Sequence, residues 1–206
     1  MESIILSAGQ SARMGINKAL LEINGKRVLD ILLAKLNLIS TSIYIILGDN
    51  YAEVEKYLQT SKQMSKKIEL IFNENHMKGM FTSVIKGFQQ TSAQDYVLLQ
   101  MIDQPFVGIE LYEQLMKNVD DYNMIFQPAS GSADSVKPGH PLIFSKEFKE
   151  VLLNNPGWKN LRNVIRACES QRKFYFTDDE SIFMNLNTPE DVKKYQRRSG
   201  NGNTII

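Results

Sequence analysis

Short apolar runs, bounded by turn-forming residues and separated by segments with a helical period, dominate the first two thirds of the chain. Five of these runs have the length and composition of buried strands: residues 4–6, 43–47, 68–72, 96–101 and 124–126. Three of the intervening segments repeat apolar residues at helical spacing: residues 28–38, 51–58 and 111–119. Because strands and helices alternate, the pattern predicts βαβ units and an α/β fold with a mainly parallel sheet.

The last third of the chain follows this alternation less closely. Residues 128–139 are rich in Gly, Ser and Pro and predict a loop. Beyond it, the pattern predicts a short apolar run, two helices and a strand, at residues 141–144, 146–153, 161–167 and 173–177. Residues 188–191 read Thr-Pro-Glu-Asp, which indicates a helix start with a capping hydroxyl, a proline at the first position and carboxylates in the first turn. We expect one domain over residues 1–197 and a flexible tail over 198–206.

Composition narrows the classes of protein that the chain can belong to. Its 206 residues are enough to bury a core without disulfides or structural metals. The 24 Lys and Arg residues against 23 Asp and Glu give a net charge of +1, which argues against a nucleic acid or an anionic membrane as partner. Cys168 is the only cysteine, so a disulfide framework is excluded and a reducing compartment fits. With an N-terminal apolar run too short for a signal peptide and no stretch of about 18 apolar residues, we expect a cytoplasmic protein.

The loop that follows the first predicted strand has the composition of a phosphate-binding segment. Residues 6–18 read LSAGQSARMGINK. A loop between a parallel strand and its helix lies at the carboxyl edge of the sheet, where open α/β folds bind ligands. Small residues allow the backbone to approach a ligand closely, while Arg13 and Lys18 supply two cations for a polyphosphate. The stretch matches neither the P-loop nor the dinucleotide fingerprint, and an ordinary surface loop accounts for its spacing equally well.

A single carboxylate closes the predicted strand at residues 96–101. Asp103 follows that strand and precedes Pro105, which blocks a helix. A carboxylate at the carboxyl end of a parallel strand, near a loop with cations, suits a Mg²⁺ ion that bridges phosphate oxygens. Taken alone, Asp103 is better explained as the cap of the following turn. Its place on the same sheet edge as the first loop favours the metal site.

Five motifs, in order, resemble the nucleotidyltransferases of molybdenum-cofactor maturation, and most closely their cytidylyltransferase branch. They cover nearly the whole chain: LSAGQSARMGINK, MKGMFTSVIKGF from Met77, QMIDQPFV from Gln100, KPGHPLIFS from Lys137 and NLNTPEDVKKY from Asn185. Each motif is weak alone. Together the resemblance implies a Rossmann-like three-layer α/β/α sandwich of the nucleotide-diphospho-sugar transferase type. It also implies transfer of CMP from CTP to the phosphate of molybdopterin, with release of pyrophosphate and Mg²⁺ as cofactor.

The resemblance further implies the roles of the residues in the first three motifs. The first loop would wrap the nucleoside triphosphate, with the backbone from Leu6 through Ala8 and Gly9 near the base. Arg13 and Lys18 would hold the phosphates and act in catalysis. Two residues of the second motif, Gly79 and Ser83, would border the base and ribose. Asp103, in the third motif, would hold Mg²⁺ and is the third predicted catalytic residue.

The last two motifs bear on the acceptor and on a departure from the family pattern. The turn at Gly139 and His140 would line the side where the acceptor phosphate arrives, although a histidine there also suits a packed turn. Many relatives carry an aspartate-flanked turn before the final Thr-Pro-Glu-Asp, whereas this chain has Asn185 and Asn187. An asparagine oxygen can bind Mg²⁺ without adding charge, so Asn187 is a candidate ligand.

Several alternatives stay open at the level of the sequence. The nucleotide could be GTP instead of CTP, and the acceptor a sugar or polyol phosphate, since such nucleotidyltransferases share the first loop. A binding or delivery module that has lost catalysis is a third possibility, motivated by Asn185 and Asn187. A molybdoenzyme or a chaperone is a possible protein partner of this chain.

Overall fold

Residues 1–9, 17–61, 63–92, 96–132 and 134–198 are described by the computed structural model. Ten strands lie in these ranges: Glu2–Ser7 (β1), Glu22–Ile23 (β2), Lys26–Arg27 (β3), Ser42–Leu47 (β4), Ile68–Phe72 (β5), Val97–Met101 (β6), Ile125–Ser132 (β7), Ser135–Pro138 (β8), Leu142–Phe144 (β9) and Arg172–Phe176 (β10). Seven α-helices accompany them: Val28–Ile39 (α1), Tyr51–Thr60 (α2), Met80–Gln90 (α3), Ile109–Lys117 (α4), Lys146–Asn154 (α5), Leu161–Ala167 (α6) and Pro189–Arg198 (α7). Among these, no helix is both long and apolar enough to cross a bilayer.

Eight of the strands form one mixed sheet. Seven of them follow the order β10-β7-β9-β6-β1-β4-β5, and β8 pairs with the last residues of β7. The pairs of β1 with β4 and β6, of β4 with β5, and of β10 with β7 are parallel. Only β9 and β8 run antiparallel to their neighbours in this sheet, among the residues described. The prediction of a mainly parallel sheet is therefore confirmed, with β6 at its centre and β1 beside it.

Helices pack against both faces of the sheet. Successive side chains of a strand point to opposite faces, so neighbouring residues of one strand belong to different cores. Ile5 in β1 belongs to a core shared with α1, α2, α4 and α7. Its neighbours Ile4 and Leu6 belong to a second core, shared with α3, α5 and α6. Since these strand residues are buried on both sides, the strands show continuous apolar runs instead of alternation. The three-layer α/β/α sandwich is confirmed.

Two segments differ from the sequence-based expectation. The predicted loop at 128–139 is largely a hairpin, because β7 continues to Ser132 and pairs with β8. Gly131 has a φ of 105°, which only glycine adopts without strain. The glycine that suggested a loop therefore lies within a pair of strands. Helix α3 was not predicted, since Thr82, Ser83 and Val84 have low helix propensity, and packing against the sheet overrides it.

The other predicted elements agree with the structure to within a few residues. Helix α4 begins at Ile109, two positions before the predicted start, and ends at Lys117. The capping motif at 188–191 does begin a helix, which runs as α7 to Arg198. Residues 199–206 of the predicted tail lie outside the described residues, so the flexible tail stays a prediction.

The contact between α3 and β1 predicts the effect of a single added methyl group. A Cβ at Gly87 would lie 2.7 Å from Cγ2 of Ile4, which is completely buried and β-branched and cannot rotate away. We expect Gly87→Ala to lower the free energy of unfolding by about 1–3 kcal/mol despite the better helix propensity of alanine. Chemical denaturation measures it, with Gln89→Ala on the exposed side of α3 as control. Equal or higher stability for Gly87→Ala would contradict this packing.

Candidate functional site

A cavity of about 330 Å³ opens at the carboxyl edge of the central strands. Strands β1, β4, β5 and β6 run parallel, so the loops that follow them meet at this edge. The cavity is lined by Leu6, Ser7, Ala8, Gly9, Lys18, Asn50, His76, Met77, Gly79, Met80, Ser83, Met101, Ile102 and Asp103. Seven residues predicted from the sequence to bind the nucleotide or the metal are on this wall: Leu6, Ala8, Gly9, Lys18, Gly79, Ser83 and Asp103.

The register of β1 and β6 brings the first loop beside Asp103. Leu6 pairs with Met101, and the backbone N–H of Ile102 donates to the carbonyl of Leu6 at 3.1 Å. The ladder thus continues past the end of β6 before the chain turns at Asp103. Ser7 and Ala8 leave β1 at the same level and are nearly completely buried. Two segments about 95 residues apart in the chain therefore share one wall.

Lys18 joins three segments at this wall. It begins a short 3₁₀ helix, Lys18–Leu20, which is capped by the Asn17 side chain accepting from the N–H of Ala19. The Lys18 Nζ donates to Oδ2 of Asp103 at 3.2 Å and to Oδ1 of Asn187 at 3.1 Å. The side chains of Lys18 and Asp103 are only 17% and 20% exposed, so water screens this pair less than a surface pair. One ammonium group therefore hydrogen-bonds to both a carboxylate and an amide oxygen.

The start of α7 fixes the backbone around Asn187. The carboxylate of Asp191 accepts from the N–H groups of Asn187 and Thr188, both at 2.9 Å, and the Thr188 hydroxyl accepts from the N–H of Asp191. Burial opposes the charged form of Asp191, but these hydrogen bonds outweigh it and lower the pKa of the carboxyl. The N–H of Leu186 donates to the carbonyl of Asp103 at 2.8 Å, which ties this turn to the loop after β6.

Helix α3 starts at the opposite wall of the cavity. Gly79 precedes it with a φ of 107°, a backbone conformation that strains any other residue. The Ser83 hydroxyl, in the first turn, accepts from the Asn73 side chain at 2.9 Å and is almost fully buried. The first N–H groups of an α-helix lack intrahelical partners and carry partial positive charge. This end of the cavity favours an anionic or hydrogen-bond-accepting ligand.

Two cavity residues, Asn50 and His76, were not singled out in the sequence. Asn50 follows β4, donates to the carbonyl of Ser7 at 2.9 Å and accepts from the N–H of Gly48, so it holds the start of the first loop. His76 follows β5, and its Nε2 lies 3.2 Å from Oδ1 of Asp49. Both lie in loops that follow parallel strands, so the edge rule that identified Asp103 could also have pointed to them.

The predicted acceptor residues lie outside the wall of this cavity. Gly139 is buried against Ile182, where a Cβ would lie 2.6 Å from the isoleucine Cβ. The backbone N–H of His140 donates to the carbonyl of Ile182, and its side chain is close enough to Asp103 to feel the charge of that carboxylate. Burial lowers the pKa of His140, and Asp103 raises it by a smaller amount. Their role in acceptor binding stays a prediction.

Arg13 lies outside the described residues, so its predicted contact with phosphate stays a prediction as well. For Mg²⁺, the chain offers the Asp103 carboxylate and the Asn187 amide, whose oxygens converge on one cation, the Lys18 ammonium. No cluster of three or more His, Cys, Asp or Glu side chains occurs within the described ranges. Mg²⁺ is commonly bound by one or two protein oxygens together with waters and substrate phosphates. These two oxygens therefore fit such an ion.

Known proteins are similar to this chain in sequence and in fold. The family profile described as "MobA-like NTP transferase domain" matches residues 3–173. The chain is 24% identical over 206 residues to a probable molybdenum cofactor guanylyltransferase of Natranaerobius thermophilus, with 97% of each covered. It is 24% identical over 194 residues to a molybdenum cofactor cytidylyltransferase of Escherichia coli K12, with 93% of each covered. The structure of 4-diphosphocytidyl-2C-methyl-D-erythritol synthase from Anaerococcus prevotii aligns with a TM-score of 0.75 at 17% identity, over 97% of this chain and 95% of that one.

Burial of His140 predicts a measurable pH dependence of stability. Because its folded-state pKa is lowered below the usual value of 6.5, the neutral ring stabilises the fold above that pH. As the pH falls below about 6.5 toward the lower folded-state pKa, protonation favours the unfolded chain and this stability is lost. With only two histidines in the chain, an NMR titration follows each ring.

We expect the His140 ring to titrate below 6.5, and His140→Gln to remove part of the stability loss between about pH 7.5 and 5.5 seen by denaturation. His76→Gln identifies the other NMR signal. A His140 midpoint at or above 6.5, or the same pH slope with and without its ring, would contradict the proposed burial.

Proposed function

The chain belongs to the family of MobA-like NTP transferase domains, and from this premise we propose that it transfers CMP from CTP to the phosphate of a molybdopterin-type acceptor, releasing pyrophosphate. Family membership confirms the nucleotidyltransferase class that the five motifs predicted. Two of the relatives reported above, matched over nearly their full length, are named for molybdenum cofactor and differ in nucleotide. They support the acceptor class in the proposal and leave the base to be argued from the site.

The observation that carries the proposal is the convergence of Lys18, Asp103 and Asn187 beside a cavity walled by a small-residue loop and a helix start. A nucleoside triphosphate needs close backbone approach around its base, positive charge along its phosphates and oxygen ligands for a divalent ion. The first loop, Lys18 and the Asp103–Asn187 pair provide these in one place. A surface loop with scattered basic residues would not bring such groups together.

The arrangement suggests how the nucleotide is held. Ala8 and Gly9 on one wall and Gly79 and Ser83 on the other leave space for a flat base between two backbones. Lys18 lies on the same wall as Asp103, so the phosphates extend from the base toward this pair. When the nucleotide binds, the Lys18 ammonium leaves Asp103 and Asn187 and donates to phosphate oxygens instead. The lysine side chain is flexible and has three N–H donors, so it can make this exchange.

The reaction needs no nucleophile from the protein. An oxygen of the acceptor phosphate, already an anion, attacks the α-phosphorus in line, a new P–O bond forms, and the bond to the bridging oxygen breaks. The electron pair of that bond leaves with pyrophosphate. Such transfers depend on positioning and on stabilisation of developing charge. Lys18 supplies positive charge at the phosphates.

Asp103 and Asn187 are the residues that would hold Mg²⁺ in this proposal. Bound there, the ion would neutralise phosphate charge and orient the triphosphate. Asp103 contributes the only negative charge of the two, and Asn187 contributes a neutral oxygen, so the triphosphate itself supplies much of the ion's binding. Departure of Lys18 toward the phosphates leaves both oxygens free for the ion.

Ser83 offers a hydrogen-bond donor that cytosine can use. Its hydroxyl accepts from Asn73, which leaves its own proton for an acceptor on the ligand. Cytosine presents two neighbouring acceptors, its O2 and N3, to a donor at this position. The cavity of about 330 Å³ has room for a base together with its ribose.

A nucleotide panel tests the proposal. Isothermal titration of the purified protein with CTP, GTP, ATP and UTP, each with and without Mg²⁺, is followed by pyrophosphate assays with a molybdopterin acceptor and with sugar phosphates. We expect CTP to bind most tightly, more tightly with Mg²⁺, and to turn over with molybdopterin. Preference for GTP would overturn the choice of base, and turnover with a sugar phosphate alone would overturn the acceptor. If no triphosphate binds, the proposed function is wrong.

Removing the charge of Asp103 gives the sharpest substitution. Asp103→Asn keeps the size of the side chain at a strand end, so we expect an unchanged fold but a loss of turnover of about 100-fold or more. Asp121→Asn is the matched control, because Asp121 lies beside Tyr96 at the amino end of β6, away from the cavity. Steady-state kinetics and thermal unfolding of both variants measure the effect. Near wild-type turnover for Asp103→Asn would contradict the assigned role.

A further inference from the structure

Several hydrogen bonds hold the loop that presents Asp103 by its backbone carbonyls. Leu186 donates its N–H to the carbonyl of Asp103 at 2.8 Å. Gln100 donates from Nε2 to the carbonyls of Met101 and Gln104, both at 2.9 Å. These donors come from β6 itself and from the turn before α7. On the other flank of the loop, a single side chain donates to two of its carbonyls.

That residue is Lys35, in the third turn of α1. Its Nζ donates to the carbonyl of Pro105 at 2.7 Å and to the carbonyl of Val107 at 2.8 Å. The two carbonyls bracket Phe106, whose ring packs 4.3 Å from that of Tyr195 in α7. Lys35 therefore fixes the part of the loop directly after Asp103 to a helix of the main core.

The surroundings of Lys35 show that this contact is built into the fold. Burial lowers the pKa of Lys35 to about 8, while Glu110 at the start of α4 raises it and Lys26 in β3 lowers it slightly. A partly buried ammonium is stable only when hydrogen bonds replace its water. Here the two carbonyls of the loop supply them, so the loop and the lysine stabilise each other.

A second buried group, the Gln100 side chain, restricts movement of the loop on the β6 side. The Gln100 side chain is 1% exposed, and its Oε1 accepts from the Tyr112 hydroxyl at 2.7 Å. Burial raises the pKa of Tyr112 far above its usual value, so its hydroxyl remains a donor. With Oε1 occupied, the Gln100 amide can only direct its N–H groups at Met101 and Gln104. Movement of the loop is thus restricted on the β6 side, and Lys35 restricts it on the α1 side.

From these contacts we propose that Lys35 is a positioning residue for nucleotidyl transfer, which sets the place of the Asp103 carboxylate relative to Lys18 and Asn187 by anchoring the carbonyls of Pro105 and Val107. The proposal rests on the function proposed above. Lys35 does not line the cavity, so it acts through the loop and does not touch substrate. Displacement of a reacting or ion-holding group by about 1 Å costs up to about 100-fold in rate.

The chain contains a matched control for this role. Lys67 also bridges two backbone carbonyls, those of Asn37 at 3.3 Å and Ser40 at 3.2 Å. It precedes β5, and therefore lies at the amino edge of the sheet, opposite the cavity. Lys35→Met and Lys67→Met each remove an ammonium that donates twice to backbone and keep the aliphatic stem. Their comparison separates loss of stability from loss of position.

The experiment measures thermal unfolding, kcat, KM for CTP, and the CTP dissociation constant with and without Mg²⁺ for the wild type, both methionine variants and Lys35→Arg. We expect Lys35→Met to unfold at lower temperature, and Lys67→Met, at an exposed position with longer hydrogen bonds, to lose less stability. Only Lys35→Met should lose about tenfold or more in kcat, with KM changed by no more than about twofold. It should also lose most of the gain in CTP affinity that Mg²⁺ gives, and Lys35→Arg should recover part of both.

The outcomes distinguish this inference from the proposed function. Wild-type kcat and Mg²⁺ dependence in folded Lys35→Met, or the same losses in Lys67→Met, would overturn the positioning role. If the wild type itself neither binds nor turns over CTP, the proposed function fails on its own. The positioning role is then decided by the Asp103 carboxyl ¹³C resonance, which Lys35→Met should shift and Lys67→Met should leave unchanged. An unshifted resonance in Lys35→Met would overturn it.

Discussion

The contact of one lysine with two oxygens, 85 and 169 residues further along the chain, organises the candidate site. Lys18 comes from the segment after β1, Asp103 from the loop after β6 and Asn187 from the turn before α7. Each contact is a single hydrogen bond, and neither is strong alone. Together they require the first loop, the central strand pair and the last helix to be in place at once. The site therefore depends on the tertiary fold more than on any one motif.

The parallel sheet is what makes this contact possible. Because β1, β4, β5 and β6 all end at one edge, the groups that follow them are brought within a few ångströms without long connections. Side chains then hold the loops by their backbone groups: Asn50 holds the exit of β1, Asp191 holds the turn at Asn187, and Lys35 with Gln100 holds the loop of Asp103. Side chains near the ligand remain available for the ligand because other side chains fix the backbone.

Much of the fold could be predicted from the sequence, because burial on both faces of a parallel sheet leaves apolar runs that mark the strands. The hairpin of β7 and β8 could not be predicted, because its Gly, Ser and Pro residues are typical of turns and the sequence does not show that the two segments pair. Helix α3 was missed for a similar reason: its first turn, with Thr82 and Ser83, has low helix propensity and is stabilised by packing. The family resemblance identified Gly79 and Ser83 without the helix that carries them.

For the site, the sequence pointed to half of the residues that line the cavity, because the edge rule and the motifs depend on local order in the chain. It did not show that Lys18 contacts Asp103 and Asn187, and it did not indicate Lys35 or Gln100, since these contacts join segments far apart in sequence. The most direct test of the account is a crystal structure with CTP and Mg²⁺. We predict cytosine between Ala8 and Ser83, with Lys18 on the phosphates and both Asp103 and Asn187 on the ion. A nucleotide bound elsewhere, or Lys18 still paired with Asp103 while CTP fills the cavity, would contradict it.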